Sequence, residues 1–188
     1  MDGNVVAVDL GASNGRLFLC SLQKESIVME EVHRFSNGGV VVNGRMYWDV
    51  LFLFQEIIKG LQKAAQLCPQ LDSFAIDTWG VDFGLLDTNG ELLATPYHYR
   101  DAQANGMIEE AEKLFGQGGL FARTGVQDMW FNTVYQLLGL KIRGCTFVQN
   151  TNRFLLMADL LGYMLTGNTD TEYTAAATTQ LYNVAQKK

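Results

Sequence analysis

Two short stretches concentrate side chains able to do chemistry. The first is Asp9-Leu10-Gly11-Ala12-Ser13-Asn14-Gly15-Arg16. Glycines let the backbone turn tightly, so that several N–H groups can point at one anion. Arg16 adds positive charge, and Asp9, at the end of an apolar run, could hold Mg2+ directly or through water. On this reading Ala12, Ser13, Asn14, Gly15 and Arg16 surround a phosphate. The alternative is an ordinary hairpin with a solvated Asp and Arg. The same residues spell Gly11-x-Ser13-x-Gly15, the form of a hydrolase nucleophile elbow. An elbow requires strand, sharp turn and helix. Here RLFLCSL follows, which has strand character, and only His33 and His98 could supply the base.

The second stretch is Asp77-Thr78-Trp79-Gly80-Val81-Asp82-Phe83-Gly84. Two carboxylates and an aromatic ring lie at or just past the end of an apolar run. Ligands commonly sit off the carboxyl ends of strands in α/β sheets. Trp79 could stack on the apolar face of a sugar, Asp82 could accept from its hydroxyls, and Gly80 would let a ligand approach the backbone. The competing interpretation is a capping Asp, a core Trp and a β-bulge at Gly80. Tyr97-His98-Tyr99-Arg100-Asp101 is weaker: Arg100 and Asp101 could hold a polar ligand, but Asp101 also suits a helix N-cap. His98 lacks the partners of a metal site. Thr124-Gly125-Val126-Gln127 and Trp130-Phe131-Asn132-Thr133 form a turn and an aromatic pair ahead of a helix, as core plug or pocket wall alike.

The elements that must carry these groups can be read from period and punctuation. Val5–Leu10 and Arg16–Leu22 are strands about a Gly-rich turn, and Ile27–Phe35 is a third, with imperfect alternation. Their short connections imply an antiparallel meander. Asn37-Gly38-Gly39 and Asn43-Gly44-Arg45 mark turns. Asp49 is an N-cap for a helix whose apolar positions 50, 51, 53, 54, 57, 58, 61 and 65 end before Pro69. Ser73–Thr78 is expected as a buried strand parallel to the first. Val81–Leu86 and Glu91–Thr95 are expected to form a hairpin about Asp87-Thr88-Asn89-Gly90. Helices are expected over Ala102–Phe115, Asn132–Lys141 and Arg153–Thr166, the last closed by Gly167 at C′. The order is that of a mixed α/β fold with a sheet core.

Composition narrows the function. Of 188 residues, 48% are hydrophobic and 18% charged, which excludes global disorder. Fourteen Lys and Arg against twenty Asp and Glu, a net charge of −6, argue against a nucleic-acid surface. No apolar run is long enough to span a membrane and no basic stretch precedes an apolar one at the N-terminus, so a cytoplasmic protein handling small molecules is expected. Cys20, Cys68 and Cys145 are too widely spaced for a disulfide framework or structural zinc site.

Taken together, VAVDLGASNGR, HRFSNG, YWD, IDTWGVDFGLLDTNGELL, HYRD, TGVQ, FNTVYQL, DLLGYMLTG and TAAATTQL resemble the FGGY carbohydrate kinases over nearly the whole chain, in family order. Within the family the rhamnulokinase branch is nearest. Asn14 stands where the family usually has Ser, and Met157-Ala158-Asp159 where it has Met-Pro-Asp. The resemblance implies an actin-like, ribonuclease-H-like α/β fold: a mixed β-sheet with antiparallel first strands and flanking helices. It implies ATP and Mg2+ as cofactors, and transfer of the γ-phosphate to the 1-hydroxyl of L-rhamnulose in rhamnose catabolism. Another ketose or polyol such as xylulose or fuculose, or a non-catalytic sugar-binding module, are the alternatives. Carried over by residue, Ala12, Ser13, Asn14, Gly15 and Arg16 would contact ATP phosphates, Asp9 the metal and Gly80 the sugar. Trp79 and Asp82 are added as sugar-pocket candidates. The resemblance further implies that residues 1–188 form an N-terminal domain, and that the catalytic base and most of the adenosine pocket belong to a C-terminal domain absent here. No catalytic residue is therefore assigned. The chain alone is expected to lack kinase activity and to self-associate through its exposed inter-domain face.

Overall fold

The computed structural model describes residues 3–187. In chain order the elements are β1 (Gly3–Leu10), β2 (Asn14–Gln23), β3 (Ser26–Ser36), β4 (Gly39–Val42), β5 (Arg45–Trp48), α1 (Val50–Leu67), β6 (Ser73–Asp77) and β7 (Phe83–Leu86). A 3-10 turn at Ala102–Ala104 precedes α2 (Met107–Phe115), α3 (Gly119–Thr124), α4 (Thr133–Ile142), α5 (Thr146–Gln149), β8 (Arg153–Leu156), α6 (Met157–Thr166) and α7 (Tyr173–Thr178). The chain divides into two compact units. One runs to Gly39 and adds Asp49–Trp79; the other joins Val40–Trp48 to the chain from Gly80 onward.

The first unit is built on a four-stranded sheet of order β3-β2-β1-β6. β1 runs antiparallel to β2 and parallel to β6, as expected. Alternation places Val6, Val8, Leu10, Leu17 and Leu19 on one buried face. Helix α1 covers that face with Val50, Leu53, Ile57, Gly60 and Ala64, one side of a helix at 3- and 4-residue spacing. Asp49 caps it, its Oδ1 accepting from Phe52 N–H at 3.0 Å. The helix lies so close to the sheet that a Cβ on Gly60 would stand 2.4 Å from Leu17 Cδ2.

The imperfect alternation in the third strand has a structural cause. Leu17 pairs with His33 but Phe18 with Glu31, so Val32 is an extra residue in a bulge that switches the faces of β3. The parallel strand is not buried as expected. β6 is an edge strand and its residues alternate between exposed and half-buried. The mixed parallel and antiparallel sheet with its flanking helix is the actin-like, ribonuclease-H-like arrangement.

In the second unit β4 pairs with β5 about Asn43 and Gly44, both at positive φ, the type I′ pattern that the Asn-Gly signal announces. Three expectations need correction. β7 does not make its ladder with Glu91–Thr95; it pairs antiparallel with β8, and only a bridge from Leu86 to Leu92 remains of the hairpin. Residues 153–156 are therefore strand rather than helix, because Leu156 fills the core with Phe83, Leu85 and Leu140, and Leu155, on the other face of the strand, is buried as well. The expected helix over Ala102–Phe115 is broken at Gly106, whose φ of 75° no right-handed helix accommodates. Asn132 and Gly167 stand at the ends of α4 and α6 as expected.

Candidate functional site

The phosphate-loop candidates lie in one tight connection of the first unit. Asp9 pairs with Arg16 and Leu10 with Gly15, so Gly11–Asn14 close a hairpin, Gly11 N–H donating to Asn14 O at 2.8 Å. Asn37, at the end of β3, ties it down: its Nδ2 donates to Gly11 O at 2.8 Å and its N–H to Ser13 O at 3.0 Å. Ser13 is exposed, Ala12 and Asn14 half-buried. None of Gly11–Gly15 has positive φ, so glycine is not needed here for backbone conformation. Gly15 is needed for space, since a Cβ would stand 2.2 Å from Phe35 Cζ. A strand follows the turn, not a helix, so the nucleophile-elbow reading of Ser13 fails.

Asp9 and Arg16 face away from α1 and form an ion pair between Asp9 Oδ2 and Arg16 Nη2, both side chains partly exposed. Directly across the parallel ladder from Asp9 stands Asp77, at the end of β6 and exposed. Asp77 was missed as a partner of Asp9 by sequence reasoning. Its signal was an Asp ending each of two parallel strands. Two carboxylates on adjacent strand ends offer the hard oxygen donors that suit Mg2+, which completes its shell with water and phosphate oxygens. Among the described residues no group of three or more His, Cys, Asp and Glu side chains is placed to hold a metal.

The second candidate stretch crosses the unit boundary. Trp79 is half-buried and ends the first unit, with Thr78 Oγ1 donating to its carbonyl at 2.9 Å. Gly80 and Asp82 belong to the second unit. Gly80 is exposed and does not sit in a bulge. The unusual residue is Val81, at φ 69°, with Asp82 N–H donating to Gly80 O across it at 2.9 Å. Asp82 has no exposed surface. Its Oδ2 accepts from Trp48 Nε1 at 2.6 Å and Tyr99 N–H at 3.0 Å, and its Oδ1 from Gln136 Nε2 at 2.9 Å. A buried carboxylate is tolerated only when paired and hydrogen-bonded in this way. Thr133, which closes the Trp130-Phe131-Asn132-Thr133 segment, and Gln136, not singled out from the sequence, lie in the first turn of α4, and both donate to the Val81 carbonyl, at 2.7 and 3.3 Å.

His98 is buried and stacked on Trp48 at 4.0 Å. Burial, then the nearby Arg100, pushes its imidazole down to about 4, so it is neutral at pH 7. Asp101 is buried as well, accepting from Met46 N–H at 2.7 Å, Gln103 N–H at 2.8 Å and Arg45 Nη1 at 3.2 Å. Arg100 is exposed beside the Tyr99 ring. Trp130 and Phe131 meet edge to face at 5.6 Å, and Phe131 continues to Tyr99 at 6.0 Å. Asn132 does not cap α4 with its side chain; it donates to Gln127 O and Gln180 Oε1. No helix among the described residues is long and apolar enough to cross a membrane.

A curated rhamnulokinase from Mannheimia succiniciproducens is 43% identical over 183 residues, which are 96% of this chain and 38% of that protein. The ligand-bound xylulose kinase of Lactobacillus acidophilus superposes with a TM-score of 0.83 at 17% identity, over 99% of this chain and 38% of that one. The gluconate kinase of the same organism gives 0.82 at 18% identity, over 98% and 37%. At such identities these structures attest the fold alone. The chain spans well under half the length of the relatives it matches. The N-terminal domain of the FGGY family of carbohydrate kinases matches residues 4–188. The chain belongs to the FGGY family of carbohydrate kinases.

Proposed function

We propose that this chain is the sugar-binding N-terminal part of a kinase that transfers the γ-phosphate of ATP to the 1-hydroxyl of L-rhamnulose. The observation that carries the reading is its 43% identity over 96% of its length to a rhamnulokinase. Membership of the FGGY carbohydrate kinases supports a sugar or polyol acceptor, and selectivity among them rests on individual contacts.

In this reading Ala12, Ser13, Asn14 and Gly15 present the β1–β2 connection to the ATP phosphates, and Arg16 supplies positive charge. Ser13, the exposed tip, offers its hydroxyl and backbone N–H. The Asp9–Arg16 pair keeps the guanidinium on the open face of the sheet, where a phosphate can compete for it. Asp9 and Asp77 would hold Mg2+, which neutralises phosphate charge when bound. Gly80 presents bare backbone to the sugar, and Trp79 offers an apolar ring face. Asp82 serves the sugar pocket through the turn it anchors, since both its oxygens are engaged by Trp48, Tyr99 and Gln136. Phosphoryl transfer depends on positioning across a closed cleft. The base and most of the adenosine pocket are assigned to a further C-terminal domain, and the chain by itself binds sugar without turnover.

Calorimetric titration with L-rhamnulose, with L-fuculose and D-xylulose as controls, tests the reading. Selective binding of L-rhamnulose, weakened in Trp79→Ala, is expected. Equal binding of all three, or rapid ATP-dependent phosphorylation of L-rhamnulose by this chain alone, would contradict it.

A further inference from the structure

The backbone between Gly80 and Asp82 is bent in a way that valine disfavours. Val81 has φ 69°, and the Asp82 N–H donates to Gly80 O at 2.9 Å, closing a γ-turn of the rare positive-φ kind. A β-branched residue in that region is an outlier, and it persists only where its surroundings over-determine it. Here they do. Thr133 Oγ1 and Gln136 Nε2 both grip the Val81 carbonyl, at 2.7 and 3.3 Å. Immediately downstream, fully buried Asp82 is fixed by Trp48, Tyr99 and again Gln136. On the other side Thr178 Oγ1, from α7, lies 3.1 Å from where a Cβ on Gly80 would be. Glycine at position 81 would make the same turn without strain. The strained residue stands beside the exposed glycine assigned to the sugar.

We propose that Val81, clamped by Thr133 and Gln136, is a positioning residue that holds the Gly80 backbone in the one conformation that meets the sugar. This rests on the reading of Gly80 as the sugar contact and deepens it. A stiff L-residue under a two-donor clamp has few conformations to lose on binding. A glycine there would release the turn, and the ligand would have to order it. Thr133 and Gln136 act through Val81 without touching the ligand themselves.

The test compares Val81→Ala with Val81→Gly in this chain, by urea unfolding and by calorimetric titration with L-rhamnulose. Both lose the two valine γ-methyls; the glycine variant also loses Cβ, and with it the backbone preference of an L-residue. At an ordinary position the glycine variant would be the less stable of the two. The proposal predicts the reverse: V81G unfolds at higher urea than V81A, yet binds L-rhamnulose about fivefold more weakly. Thr133→Val, which loses the hydroxyl donor, weakens binding by a similar factor, and Thr133→Ser restores it. A V81G variant that is more stable and binds as tightly as V81A overturns the proposal, because the strain then serves only the fold. A V81G variant less stable than V81A also overturns it, because no strain is stored. Failure of the unsubstituted chain to bind any of the sugars overturns the sugar reading and this proposal with it. That result is told apart by the unfolding comparison, which needs no ligand.

Discussion

The side-chain nitrogen of Gln136 stands 2.9 Å from Oδ1 of Asp82, in a place where neither residue has appreciable contact with solvent. The same nitrogen lies 3.0 Å from Phe131 O and 3.3 Å from Val81 O. One amide from α4 therefore organises the turn after Gly80 and the aromatic segment before its own helix. Replacement by leucine keeps the volume and removes the donor, leaving a buried carboxylate with one partner fewer. Gln136→Leu is expected to destabilise the chain by about 3 kcal/mol. Urea unfolding measures this, and a loss within experimental error would show that Asp82 does not depend on Gln136.

Gly15 is a packing glycine. A methyl there would meet the Phe35 ring, which also packs edge to face on Phe52 of α1 at 5.9 Å. Gly15→Ala should cost about 2 kcal/mol through overpacking. Combining it with Phe35→Leu should recover most of that loss, so the two effects are expected to be non-additive in a double-mutant cycle. Strict additivity would mean that the turn, not the ring, requires glycine.

His98 gives the fold a pH dependence whose sign is set by burial. Its imidazole falls from an ordinary value of 6.5 to about 4 in the folded chain. Between those values the unfolded chain binds a proton that the folded chain refuses, so stability falls as pH drops from 6.5 to 4. The loss attributable to His98 is about 3 kcal/mol over that window. Unfolding free energies at pH 7, 5.5 and 4.5 should converge between the parent chain and His98→Gln. Parallel curves would contradict the assignment.

Much of the frame that holds these groups was legible in the residues themselves. Alternation in β1 and β2, the Asp49 cap and the apolar stripe of α1 placed Asp9 and Arg16 on one hairpin. The Phe154-Leu155-Leu156-Met157 run was not legible, because a continuous apolar stretch carries no period and only pairing with β7 decides its form. Asp77 opposite Asp9 depends on the register of two strands more than sixty residues apart. The burial of Asp82 depends on Trp48, Tyr99 and Gln136, which lie 34, 17 and 54 residues away along the chain. Local propensity carries no trace of such contacts.

The Asp9–Asp77 pair should matter to the metal more than to the fold. Asp77 is exposed and ends an edge strand, so Asp77→Asn is expected to change stability by less than about 0.5 kcal/mol. It should weaken Mg2+-dependent ATP binding about tenfold and leave the weaker metal-free binding unchanged. Titration with ATP in the presence of Mg2+ or of a chelator separates the two. Equal loss under both conditions would place Asp77 outside the metal's reach.

The central claim is that the turn after β6 meets the sugar. The most direct measurement is a 1H–15N correlation spectrum of the 15N-labelled chain during titration with L-rhamnulose. Saturable shifts centred on the amides of Trp79, Gly80, Val81 and Asp82, absent with D-xylulose at the same concentration, are predicted. Saturable shifts confined to other parts of the chain, or none at millimolar sugar, would contradict the account.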